Sequence, residues 1–148
     1  MAQPPHSKQY NREGPSSNRP SQVQLKAIRF VKPLDPELFN TTASKAAKDV
    51  AGNQRSNKPS QLRRFYDELL TWETRVAQRP ERFDEYLPLI RMINAKVAYA
   101  EGRNLVDAAF VDLMCHTLSE VKNPETLTIC KLFWEAFMGF YKKERPSE

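Results

Sequence analysis

From Ser60 to Lys143 apolar side chains recur every three or four residues, and prolines and glycines rather than strict alternation interrupt the pattern. That spacing puts apolar groups on one stripe of a helix and leaves no half-buried strand from which to build a sheet. In the first run Leu62, Phe65, Tyr66, Leu69, Trp72 and Val76 share a side. Glu73 shares it too, and the pattern does not account for an acid there. Ser60 reads as the cap of this helix, and Arg79-Pro80 ends it. A second run covers about Phe83–Glu101, with Pro88 in its first turns and Gly102 as its stop. A third spans about Leu105–Lys122, and Asn123-Pro124 opens a fourth that reaches Lys143. Upstream, Asp35-Pro36 reads as the N-cap and first-turn pair of a helix that runs to about Val50 and ends at Gly52. The expected fold is all-α: a compact bundle of about five helices over residues 35–145, long enough for a single core.

Residues 1–34 read as a basic tail. Residues 1–22 have no apolar periodicity and read as disordered, whereas Val23–Lys32 alternates weakly and reads as an extended segment lying on the body. Charge is as uneven as hydropathy. Residues 1–64 carry 12 Lys and Arg against 4 Asp and Glu, and residues 65–148 carry 11 against 14. A basic first half on a slightly acidic helical body points to an anionic partner met along one side. No apolar run approaches the roughly 20 residues of a spanning helix, and no signal peptide is visible, so the reading is a cytoplasmic chain without a membrane partner.

Two places concentrate the charge argument. Ser60–Leu70, SQLRRFYDELL, opens a helix with Arg63 and Arg64 in its first turn, and Arg55 and Lys58 lie just upstream. A helix start carries partial positive charge, so cations there cost about 0.3–1 kcal/mol each unless an anion, above all a phosphate, joins them. The plainer alternative is that two arginines solvate an exposed face. On the helix of Phe83–Glu101, Tyr86, Leu89, Ile90, Ile93, Val97 and Ala100 form one face, and Met92 and Tyr99 widen it past half the circumference. Lys96 lies inside that arc. Its ammonium must reach solvent along its stem, pair with an acid, or meet an anion at an interface.

Catalytic chemistry finds no footing. His6 lies in the tail and His116 sits on a helix face, so no histidine-centred triad can be proposed. Cys115 and Cys130 read as small core residues, and Cys115 beside His116 has no second ligand pair, so neither a metal nor another cofactor is expected. Four glycines, Gly14, Gly52, Gly102 and Gly139, are too scattered for a phosphate-cradling loop. The aromatics fall on apolar faces and read as core. The sequence favours binding over catalysis.

Three segments, KPSQLRRFYDEL (Lys58–Leu69), INAKVAYAEGR (Ile93–Arg103) and FWEAFMGFYKK (Phe133–Lys143), together resemble the small helical subunit of the type III-A CRISPR interference complex, the Csm complex. The likeness covers roughly residues 35–145 and leaves the tail outside. Gly139-Phe140-Tyr141 departs from the single aromatic expected near the end. The resemblance implies a non-enzymatic bundle present in several copies, stacked along the guide RNA–target RNA duplex and contacting its sugar-phosphate through a basic face. Its implied partners are guide RNA, target RNA, other subunits of the complex and further copies of itself. Carried over by position, Arg63 or Arg64 stands for the helix-start arginine, Lys96 for the lysine before Tyr-Ala, and Arg103 for the arginine after the glycine. With the basic residues around them, the expected RNA-binding set is Lys48, Arg55, Lys58, Gln61, Arg63, Arg64, Lys96, Arg103 and Lys131. A competing reading is a helical adaptor whose basic face binds an acidic protein. A helix-turn-helix regulator fits less well, because no short helix pair with a tight turn precedes a polar recognition helix.

Overall fold

The computed structural model describes residues 22–146. Among them there is no strand, and the chain forms seven α-helices: α1 (Gln22–Lys26), α2 (Ala43–Ala51), α3 (Pro59–Gln78), α4 (Phe83–Arg91), α5 (Ile93–Gly102), α6 (Ala108–Ser119) and α7 (Pro124–Glu144). A π-helical turn, Leu38–Thr42, leads into α2, and a 3₁₀ turn, Pro80–Arg82, leads into α4. The all-α expectation holds, and the differences lie in how the elements begin, break and pack.

Helix α7 is the axle. Its Phe133, Trp134, Phe137 and Tyr141 are buried, and α2 and α3 both pack against it. An aromatic chain crosses the core from Phe65 to Phe110 (5.7 Å between centroids), then to Trp134 (5.6 Å), Phe137 (4.8 Å) and Tyr141 (5.4 Å). Aromatic contacts of this kind add to the about 1.5–3 kcal/mol that burying each large apolar side chain contributes. Trp134 Nε1 donates to Thr117 Oγ1 at 3.0 Å, so the one polar atom of the indole is satisfied inside the core. Glu73 also finds its reason. Half-buried on α3, it accepts a hydrogen bond from Thr128 Oγ1 of α7 at 3.5 Å.

Several starts and stops differ from the sequence reading. The segment read as extended at Val23–Lys32 begins as α1, and Leu25, Ile28 and Phe30 are buried in the common core. Residues 1–21 lie outside the described residues. The helix read from Asp35-Pro36 begins as the π-helical turn, capped by Glu37, whose carboxylate accepts from Thr41 Oγ1 at 2.5 Å and from the Thr41 amide at 3.4 Å. Helix α3 starts one residue before Ser60: Pro59 takes the first helical position and Lys58 the N-cap, with no side-chain capping bond. The single helix read over Phe83–Glu101 is two. The break falls at Met92, with α4 packing on α3 and α5 packing on α6. Gly102 is the last residue of α5 rather than its left-handed stop. That position falls to Asn104 (φ 59°), with the Leu105 amide bonding the Ala100 carbonyl and the Asn104 amide the Glu101 carbonyl.

Candidate nucleic-acid interface

Polar and basic composition marks Asn53–Pro59 in the sequence as a linker, and within it Asn53–Lys58 is the knot at one pole of the bundle. Asn57 is fully buried with φ 58°, a left-handed conformation that asparagine tolerates better than most side chains. Its amide bonds the Leu105 carbonyl past the end of α5 (3.0 Å). Its Nδ2 donates to the Val50 carbonyl in α2 (3.2 Å), and its Oδ1 accepts from the Asp107 amide at the start of α6 (2.9 Å). From the end of α7, Tyr141 Oη donates to the Asn57 carbonyl, and the buried Arg145 guanidinium donates to the carbonyls of Ser56 (2.6 Å), Asn57 (2.9 Å) and Gln54 (3.3 Å). Asn53 Nδ2 donates to Asp107 Oδ2 (3.1 Å), the same carboxylate that caps α6 through the Phe110 amide. The ends of α2, α5 and α7 and the starts of α3 and α6 therefore meet around this one short loop.

Cations stand on those ends. Lys48 is exposed in the last turn of α2, Arg55 and Lys58 are exposed on the loop, and Arg103 is exposed just past α5. Gln61, half-buried, and Arg63, exposed, sit at the third and fifth positions of α3, and Lys142 is exposed at the end of α7. A cleft of about 440 Å³ runs between the last two elements, lined by Pro59, Ser60, Arg63, Met138, Tyr141 and Lys142. A second hollow of about 380 Å³ brings Arg55 together with Asn53, Asn104, Glu101 and Asp107, a mixed lining that suits sugar hydroxyls better than phosphate, since two acids outnumber the one arginine. A third, of about 270 Å³ between α1, α2 and α6, is mainly apolar with Glu37 and Asp49 among its lining, which is the wrong sign for an anion. Burial holds the Asp49 carboxyl above its ordinary range.

Four of the expected residues lie differently from their sequence reading. Because α3 begins at Pro59, Arg63 and Arg64 fall in its second turn, where the end charge of the helix has largely faded. Arg63 Nε pairs with Asp67 at 3.1 Å, and its guanidinium lies 5.8 Å from the Tyr66 ring. The backbone cradle at the helix start is thin: Pro59 has no amide hydrogen, and the amides of Gln61 and Leu62 both bond the Lys58 carbonyl. Lys96 takes the acid among its three options: Nζ meets Glu68 Oε1 of α3 at 2.5 Å, with the lysine side chain 46% exposed. Lys131, midway along α7 and half-buried, pairs with Glu135 at 3.7 Å. Lys96 and Lys131 therefore sit on helix flanks, away from the pole. Arg103 lies 5.9 Å from the ring of Tyr99.

The sequence reading missed Asn57, Tyr141, Lys142 and Arg145. The Tyr-Lys-Lys run at the end of α7 is the available signal for Lys142, while nothing local marks Asn57 or Arg145. Of the two cysteines expected in the core, Cys130 is buried and burial pushes its thiol pKa up. Cys115 is exposed instead. His116 Nε2 donates to the Ile28 carbonyl at 2.7 Å, which ties α6 to the segment after α1. Among the described residues no group of three or more His, Cys, Asp or Glu is placed to hold a metal ion, and no helix is long and apolar enough to cross a membrane.

A family model described as Csm2 Type III-A matches residues 34–147. Neither the curated proteins nor the solved structures give a match.

Proposed function

The chain belongs to the Csm2 family, the structural small subunit of the type III-A Csm complex, and from that premise we propose that it is a non-catalytic scaffold that binds the guide–target RNA backbone. The observation that carries this reading is the pole where Lys48, Arg55, Lys58, Arg63, Arg103 and Lys142 stand on helix ends drawn together by Asn57. Point charges on rigid element ends read phosphate spacing and carry no base information, which suits a subunit whose complex delegates sequence recognition to the guide. Guide RNA, target RNA, other Csm subunits and further copies of the chain are the partners in this reading, and the cytoplasm is where it works. Arg64, Lys96 and Lys131 are secondary contacts along the flank, the last two already committed to acids.

The test is fluorescence anisotropy of the isolated protein with single-stranded RNA. Binding is expected to be weak, indifferent to sequence and steeply salt-dependent, with a log–log slope of about −0.7 per phosphate contact. Replacing Arg55, Lys58 and Arg63 with alanine together should flatten that slope by about 2. A clear preference for one RNA over its shuffled version would sink the proposal.

A protein-binding role has its own observation. Leu89, Met92 and Tyr99 stay 42%, 47% and 69% exposed along the outer line of α4 and α5. Exposed apolar side chains in one line favour a protein neighbour over RNA. This line is a second, protein-binding surface of the same subunit, distinct from the adaptor reading in which the basic face binds an acidic protein. An adaptor whose basic pole itself bound an acidic protein would lose no partner to competing single-stranded RNA.

A further inference from the structure

We propose that Arg145 is a positioning residue for the basic pole: from the end of α7 it sets the shape of the Asn53–Lys58 loop and so places the cations of Arg55 and Lys58. The proposal rests on the RNA-backbone reading given above. A six-residue surface loop ordinarily wanders, and cations carried on it lose binding free energy to the entropy of ordering. Here the loop's carbonyls point inward onto one side chain. The guanidinium reaches Gln54, Ser56 and Asn57 through two nitrogens, and Tyr141 closes the Asn57 carbonyl from the other side. Arg145 Nη1 also lies 3.4 Å from Tyr141 Oη. With the carbonyls turned in, the Arg55 and Lys58 side chains are left outside.

Arginine suits the task in a way lysine does not. Its planar fork offers several donors in fixed directions, enough to hold three carbonyls at once, whereas an ammonium cannot span them with the same geometry. Its place directly after α7 is favourable too, because the carbonyl end of a helix attracts a cation. Arg145 is itself 9% exposed, so it supplies shape while the exposed cations of the loop meet the ligand.

The experiment uses the full chain with Arg145→Gln and Arg145→Lys, read by circular dichroism, by limited trypsin digestion and by RNA anisotropy. Trypsin cuts after Arg55 once the loop opens, and Arg82, exposed in the turn before α4, serves as the internal control. The expected result is native helix content, cleavage after Arg55 accelerated about tenfold or more with Arg82 unchanged, and RNA affinity lowered three- to tenfold. Adding Arg145→Gln to the Arg55→Ala/Lys58→Ala pair should then lower affinity no further, because the same contacts are already gone. If Arg145→Gln speeds cleavage at both sites, the fold has loosened as a whole. Arg145→Lys then carries the test, since it keeps a cation at the end of α7 but loses the planar fork, and it should speed cleavage after Arg55 about threefold with Arg82 unchanged. Unchanged cleavage after Arg55 in the folded variants overturns the proposal. So does an open loop with undiminished RNA affinity where Arg55→Ala/Lys58→Ala does weaken binding. Where that pair leaves affinity untouched as well, the RNA reading itself has failed and the positioning role falls with it, whereas the cleavage result still shows whether Arg145 holds the loop.

Discussion

Lys96 leaves α5 from within an apolar arc and ends on Glu68 of α3, so an interaction across 28 residues of sequence settles what a helical wheel could only pose. Both partners keep some solvent, 46% and 24% of their side-chain surface, which limits what the pair contributes. Exposed ion pairs are worth about 0.2–1 kcal/mol. Lys96→Met keeps the stem's packing and deletes the charge, so it should cost no more than about 1 kcal/mol in urea unfolding. A double-mutant cycle with Glu68→Gln measures the coupling directly. A coupling near 3 kcal/mol would mean that the pair behaves as a buried one and that the lysine is wholly structural. Arg63 follows the same logic: paired with Asp67 and close to Tyr66, it no longer sits where its removal would relieve the helix start.

Helix ends, more than helix faces, carry the specificity of this bundle. Helix α7 opens with a capping box in which Asn123 Oδ1 accepts from the Thr126 amide (2.8 Å) and Thr126 Oγ1 accepts from the Asn123 amide (3.0 Å). Since α7 supports both α2 and α3, fraying its start loosens the core it anchors. Asn123→Ala should lower stability by about 1 kcal/mol, measured by thermal or urea unfolding, while Asn123→Ser should retain most of it. A loss under about 0.3 kcal/mol would show that tertiary packing alone holds this end. Helix α3 opens on Lys58 without a side-chain cap and relies on Pro59 and the core contacts of Leu62 and Phe65 instead. An uncapped start with exposed cations beside it is poor local design, so packing has to hold this end.

At the scale of the molecule two surfaces differ in chemistry. The pole gathers cations, and the line of Leu89, Met92 and Tyr99 keeps apolar groups in water. Met92→Ser with Tyr99→Ser should therefore impair assembly with the other Csm subunits, read by co-purification or size-exclusion chromatography, and leave the RNA affinity of the isolated chain within about twofold. Assembly at the wild-type level would mean that the line is merely exposed. The reverse pattern, lost RNA binding with intact assembly, would place nucleic acid on α5 and make Lys96 a primary contact alongside Arg103.

Helicity is legible in the chain alone because it is a local property. The spacing of Leu62, Phe65, Leu69 and Val76, or of Phe133, Trp134, Phe137 and Tyr141, defines a buried stripe through neighbours three and four residues away. The bounds of α7 come out nearly right for the same reason, since Asn123-Pro124 is a start signal written in adjacent residues. The basic character of Arg55, Lys58 and Arg63 is legible too, because charge needs no partner to be counted. What the sequence does not disclose is where those charges stand. Asn53–Lys58 reads as a linker when its neighbours alone are considered, yet its partners Asp107, Tyr141 and Arg145 lie 50 to 91 residues away. The split at Met92, the packing of Leu25 and Phe30 and the carboxylate under Lys96 share that origin. Each depends on which surfaces meet when the helices pack, and local periodicity holds no record of the meeting.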